Sequence, residues 1–218
     1  MPISMLRSRG SRLFIIACLC SLLPSPAQAR LISYAGGWMF MSDNDQFANR
    51  ASMVYSPTAT TGIGPFIDHY RDTGGDLAGL DFNWLAKRWN NADSQGNLYF
   101  LSGLGVASGD GNQRLGGFAG MEGDWESRRY YMSYENRYTD AGRSVRQEFQ
   151  EMGRIGIAPY VAESGSLHTW LMLQADHFPE NRRSWIVTPM VRMFKSEYLV
   201  EAGVANNGDP MLNRMITF

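Results

Sequence analysis

The chain has 218 residues, with 20 Lys and Arg against 21 Asp and Glu, a formal charge of −1 and only two cysteines. That balance, with no basic block, excludes a nucleic-acid binder by charge. Cys18 and Cys20 both fall in the N-terminal leader, so a mature chain without it has no disulfide, no thiolate metal site and no cysteine nucleophile.

The leader comes first. Arg7, Arg9 and Arg12 form a basic n-region, Leu13 to Leu23 is a short apolar run, and Ala27-Gln28-Ala29 is a small-x-small cleavage site. This order is that of a secretory signal peptide over 1–29, with the mature chain, 30–218, expected to begin at Arg30 and to form one domain. A lipobox at Ile15 to Cys18 is the competing reading, but it leaves too short an apolar run. Losing those three arginines from the 20 basic residues leaves a mature charge of −4 against the 21 acidic ones. Beyond the leader no apolar run approaches the roughly 20 residues that a spanning helix needs.

From residue 33 onward short alternating segments are divided by Gly, Asn, Asp and Ser turns. The clearest are Asn90 to Gly96, Gly109-Asp110-Gly111-Asn112, Asp140-Ala141-Gly142, Glu163-Ser164-Gly165-Ser166 and Asn206-Asn207-Gly208-Asp209. Such turns between β-branched and aromatic runs mark hairpins. The predicted strands are 34–41, 50–57, 63–71, 77–89, 97–107, 114–125, 128–139, 144–161, 167–178, 184–195, 197–205 and 211–218. An even count returns both termini to one side, and the tight connections at Glu126-Ser127 and Lys195-Ser196 fall on that side, as bacterial barrels require. A ten-strand barrel remains open if 50–57 and 63–71 are loop.

Period-two sorting gives each strand two faces. Ala78, Leu80, Phe82, Trp84 and Ala86 oppose Gly79, Asp81, Asn83 and Lys87; Tyr130, Met132, Tyr134 and Tyr138 oppose Arg129, Ser133, Glu135 and Arg137. Aromatics gather at strand ends, Tyr34, Trp125, Tyr130, Tyr198 and Phe218 at one rim and Phe40, Tyr138 and Trp185 at the other. That is the girdle arrangement of a lipid-facing band. The fold expected is all-β: a closed antiparallel transmembrane barrel of about 12 strands.

The last residues, Met211 to Phe218, resemble the closing strand of bacterial outer-membrane β-barrel proteins, with apolar residues at alternate positions before a terminal Phe. The resemblance implies an outer-membrane location in a Gram-negative envelope and contact with outer-membrane lipid. It also implies that the barrel-assembly machinery reads Phe218 as an assembly signal. Arg214 fits poorly, because its parity with Ile216 and Phe218 turns it toward lipid. A bulge or snorkelling would accommodate it. Tyr55 to Thr58, Trp84 to Asn90, Tyr134 to Tyr138 and His168 to Asp176 are similar to a group of uncharacterised proteobacterial exported proteins, some encoded beside heavy-metal efflux genes. That likeness carries no site.

Chemistry is sparse. His69, His168 and His177 each have an inviting neighbour in Asp68, Thr169 and Asp176, but adjacent strand residues project to opposite faces. No serine-histidine spacing of a barrel hydrolase is present. Thirteen methionines suit Cu(I) in principle, yet without a Met-x-x-Met cluster they read as packing residues. The residues expected inside are Asp81, Lys87, Glu122, Asp124, Arg129, Glu135, Arg137, Glu148, Arg154, Asp176, Arg192 and Glu201, a mixed-sign polar network. Ion pairs are expected between strands 128–139 and 144–161. The function this supports is a non-enzymatic barrel without cofactor or metal, either a narrow channel or a structural element of the envelope. The alternatives are an outer-membrane lipid-modifying enzyme and a soluble periplasmic β-protein that handles heavy metal such as copper.

Overall fold

Alternating strands separated by tight turns can satisfy their backbone groups only through neighbours, and here every strand has two. The computed structural model describes residues 31–163, 165–179 and 185–218; the expected signal peptide lies outside them. Twelve strands follow in chain order: β1 (Trp38–Asn44), β2 (Ala48–Thr58), β3 (Thr61–Tyr70), β4 (Asp76–Asn90), β5 (Ser94–Gly109), β6 (Asn112–Ser127), β7 (Tyr130–Asp140), β8 (Gln147–Ile157), β9 (His168–His177), β10 (Ile186–Lys195), β11 (Tyr198–Val204) and β12 (Pro210–Thr217). Each pairs antiparallel with the next, and β1 pairs with β12, so the sheet is a closed barrel. Beyond the last rung, Trp38 N donates to Phe218 O at 2.6 Å and Phe218 N to Trp38 O at 2.9 Å.

All twelve predicted strands are present, with shifted ends. The first begins at Trp38 rather than residue 34, because Gly36 takes a positive φ of 85° and Gly37 N closes a turn on Tyr34 O. The eighth begins at Gln147 rather than 144, since Val145 N and Arg146 N both bond to Gly142 O and fold that loop inward. Asp110-Gly111, with φ of 49° and 75°, makes the two-residue hairpin that its sequence signals.

The rim where β1 begins and β12 ends is called the near rim, the opposite one the far rim. Two-residue connections at 59–60, 128–129 and 196–197 lie at the near rim, but so does the ten-residue connection 158–167. Phe40, expected at the far rim, pairs with Ile216 and lies toward the near one.

Polarity is inverted relative to a soluble barrel. Leu80, Leu104, Leu115, Ile155 and Leu171 stand out from the wall more than half exposed, while Asp68, Asp176, Arg192 and Glu201 are buried inside. A soluble monomer does not present a continuous apolar belt of this kind, whereas a lipid-facing wall requires it. Arg214 is exposed, and β12 pairs with both neighbours without a register shift, so no bulge turns it inward.

Candidate functional site

The interior is built in three levels. At the near mouth the segment before β1 turns into the lumen: Ile32 is buried against Leu85, Tyr99 and Leu101, and Ser33 N donates to Ser56 Oγ at 3.0 Å. At the far mouth two contacts form a roof. Phe47, from the β1–β2 loop, meets Phe178, just past β9, at 4.6 Å between ring centres. Val145, from the β7–β8 loop, packs with Phe66, Tyr70 and Leu77, and Thr73 Oγ1 donates to its carbonyl at 2.8 Å. Both closures are made by connecting segments, not by strands.

Between them lies a cavity of about 230 Å³ with charged walls. Arg192 Nε donates to Glu201 Oε1 at 2.6 Å, Asn213 Nδ2 to Glu201 Oε2 at 2.9 Å, and Arg154 approaches the same carboxylate at 3.7 Å. Arg154 Nε donates to Gln174 Oε1, whose amide donates to Asp176 Oδ2, both at 2.8 Å. Across the lumen Arg137 pairs with Asp68 at 2.6 Å and lies 3.6 Å over the Phe118 ring. Phe118 has room because Gly103 faces it; a Cβ there would sit 2.2 Å from the ring. Nearer the far rim Arg146 bridges Asp72 at 2.8 Å and Glu148 at 2.5 Å. Near the other, Arg88, Asn97 and Asp124 form a chain of 2.7 Å bonds. Glu122 and Glu135 stand directly opposite each other on β6 and β7.

Ten of the twelve residues expected inside share this interior: Asp81, Glu122, Asp124, Glu135, Arg137, Glu148, Arg154, Asp176, Arg192 and Glu201. Two do not. A β-bulge between Leu85 and Lys87 resets the parity of β4, so that Arg88 faces inward and Lys87 outward. Arg129 sits in the β6–β7 turn and donates to Pro159 O at 3.3 Å. The ion pairs expected between β7 and β8 are also replaced. In register, Arg137 faces Gln150 and Arg154 faces Ser133, so the long arginines reach Asp68 and Glu201 on other strands. Sequence reasoning missed Asp43, Arg50, Asp68, Arg88 and Asn97. Counting parity along β1, β2, β3 and β5 finds all of them but Arg88, which lies beyond the β4 bulge.

Asp68 and Asp176 point inward while His69 and His177 point outward, as alternation requires. Each histidine finds a carboxylate across the ladder instead: His69 Nδ1 lies 2.8 Å from Asp76, and His177 Nδ1 lies 2.9 Å from Glu151. Tyr134 Oη donates to the other Glu151 oxygen at 2.7 Å, and Trp185 stacks on His177 at 4.4 Å.

Neither a family model nor a curated protein matches this sequence. Among solved structures the chain is similar to the KdgM porin in complex with disordered oligogalacturonate, at 10% identity and a TM-score of 0.49, over 84% of this chain and 98% of that one. It is similar to the KdgM porin at 10% identity and a TM-score of 0.46, over the same shares.

Proposed function

We propose that this barrel resides in an outer membrane as a narrow, non-enzymatic polar channel, closed at both mouths in the conformation described. The observation that carries this is the placement of the two closures. A charged interior with a cavity of about 230 Å³ lies between an N-terminal segment and loop residues, none of which the strand ladder needs. Twelve strands also fall between the roughly eight whose interior side chains fill and the 16–18 that leave an open aqueous pore. The partners proposed are outer-membrane lipid, which the apolar wall suits, and the assembly machinery that would read Phe218. The test is conductance of the purified protein in planar bilayers. Small, rare steps that change ion selectivity in Arg137→Ala are expected. Silence under all conditions would discard the channel.

The second reading is a plugged structural barrel, favoured by the Arg192–Glu201–Arg154 and Arg137–Asp68 pairs. Buried pairs of this kind rigidify a barrel without conducting.

A further inference from the structure

The outer wall is not a uniform belt. Between β5 and β9 it carries an apolar groove of about 600 Å³, walled by Trp125, Met132, Ile155 and Leu173. Its floor is one ladder row: Gly123 faces Tyr134, Tyr134 faces Gly153, and Gly153 faces Ala175. The two glycines make the depression. A Cβ built on Gly153 meets nothing within 4 Å, and one on Gly123 meets only a carbonyl oxygen at 3.9 Å. Interior glycines differ, since a Cβ on Gly79 or Gly105 would strike backbone at 2.1 Å. Nothing in the packing of the wall demands glycine at 123 or 153, and glycine in a strand weakens it.

Tyr134 joins this groove to the Glu151 cluster described above. Along the next row Asn136, Glu151 and His177 are in register, and Trp185 covers the histidine. A carboxylate on a lipid-facing wall is expensive and marks a functional position by default. Among the described residues Glu151 accepts only from Tyr134 and His177, which leaves acceptor capacity on both oxygens. Among the described residues no lysine or arginine pairs with it. The site is an apolar slot ending in a hydrogen-bond acceptor of negative charge.

We propose that the slot binds one membrane lipid, its acyl chain lying over Gly123 and Gly153 and its headgroup donating from a primary ammonium group to Glu151. Charge and hydrogen-bond complementarity together select this occupant: a primary ammonium answers the carboxylate in both, whereas a choline group brings charge without a donor and a glycerol group a donor beside an uncompensated phosphate. The site is independent of whether the barrel conducts.

The test is native mass spectrometry of the full-length protein, delipidated in detergent and titrated with phosphatidylethanolamine, phosphatidylglycerol or phosphatidylcholine. One lipid per barrel is expected. The ethanolamine lipid should bind about tenfold tighter than either of the others, as a hydrogen bond to a charged group implies. Gly153→Leu fills the floor and should abolish retention of all three with thermal unfolding unchanged. Glu151→Ala should keep retention and lose the headgroup preference. Equal binding of all three lipids by the native protein, or undiminished retention in Gly153→Leu, overturns the proposal. So does a dimer that Gly153→Leu dissolves, which would give the groove to a second copy of the chain.

Discussion

On β12, Arg214 points away from the lumen in the same parity as Leu212 and Ile216, with Ser42 and Val200 beside it. A guanidinium in that position can be tolerated only by reaching along the wall to water, since an arginine at the bilayer midplane costs roughly 2–4 kcal/mol and much less near an interface. Arg214→Leu should therefore stabilise the barrel in lipid, by about 1–2 kcal/mol, measured by denaturant titration in vesicles. Leu80 and Phe82, both on the outer face of β4, test the opposite sign. Leu80→Arg or Phe82→Arg should lower stability by about 2–4 kcal/mol and slow insertion, read by heat-modifiable mobility on gels. Indifference to both would mean that this face does not meet hydrocarbon. The same alternation that placed Leu80 and Phe82 was legible in the sequence because nothing between Asp76 and Leu85 interrupts the period.

Two positions beyond Leu85, Lys87 shows where such reading stops. A bulge inserts one residue, and every parity after it reverses. No residue in Leu85-Ala86-Lys87 marks it as a bulge, so the inward place went to Lys87 and not to Arg88. Strand existence was legible from period and turns; strand ends were not, because Gly36 and the inward-folding 141–146 loop answer to contacts far away in sequence. Ion-pair partners were hidden for the same reason. Adjacent strands looked like the natural partners for Arg137, but register sets Gln150 opposite it and curvature brings Asp68 within reach. A double-mutant cycle on Arg137→Met and Asp68→Asn, measured by unfolding in vesicles, should show this. Removing one partner of a buried pair costs about 3–5 kcal/mol, and the double variant should lose clearly less than the sum. Additive losses would mean that the pair does not form. At the closing rung, deletion of Phe218 removes both backbone bonds to Trp38 as well as the terminal aromatic. Outer-membrane levels of the truncated protein should fall steeply, while normal levels would leave Phe218 without a role in assembly.

At the scale of the whole barrel, a solute meets two barriers in series, Ile32 with its neighbours at the near mouth and the Phe47–Phe178 contact at the far one. Ile32→Asp places a charge among Leu85, Tyr99 and Leu101, where an unpaired carboxylate is unfavourable, and should expel the segment from the lumen. The strand ladder loses no bond by this, so the barrel should lose the burial of Ile32, about 2 kcal/mol, and the Ser33–Ser56 bond, about 1 kcal/mol. Phe47→Ala with Phe178→Ala should remove one of the two contacts of the far roof, leaving the packing of Val145 in place. Because barriers in series are limited by the larger, each change alone should raise conductance little. The combination should raise it by more than the two separate increments. Planar-bilayer recordings on all three variants, each first shown to be folded by heat-modifiable mobility, decide the matter. A full rise with Ile32→Asp alone would show that the aromatic roof is no barrier. No rise in the folded combination would place the seal in the Val145 contact or in the charged interior, and if Val145→Ala added to it also gave none, the barrel would be a structural element held shut by Arg137, Arg154 and Arg192.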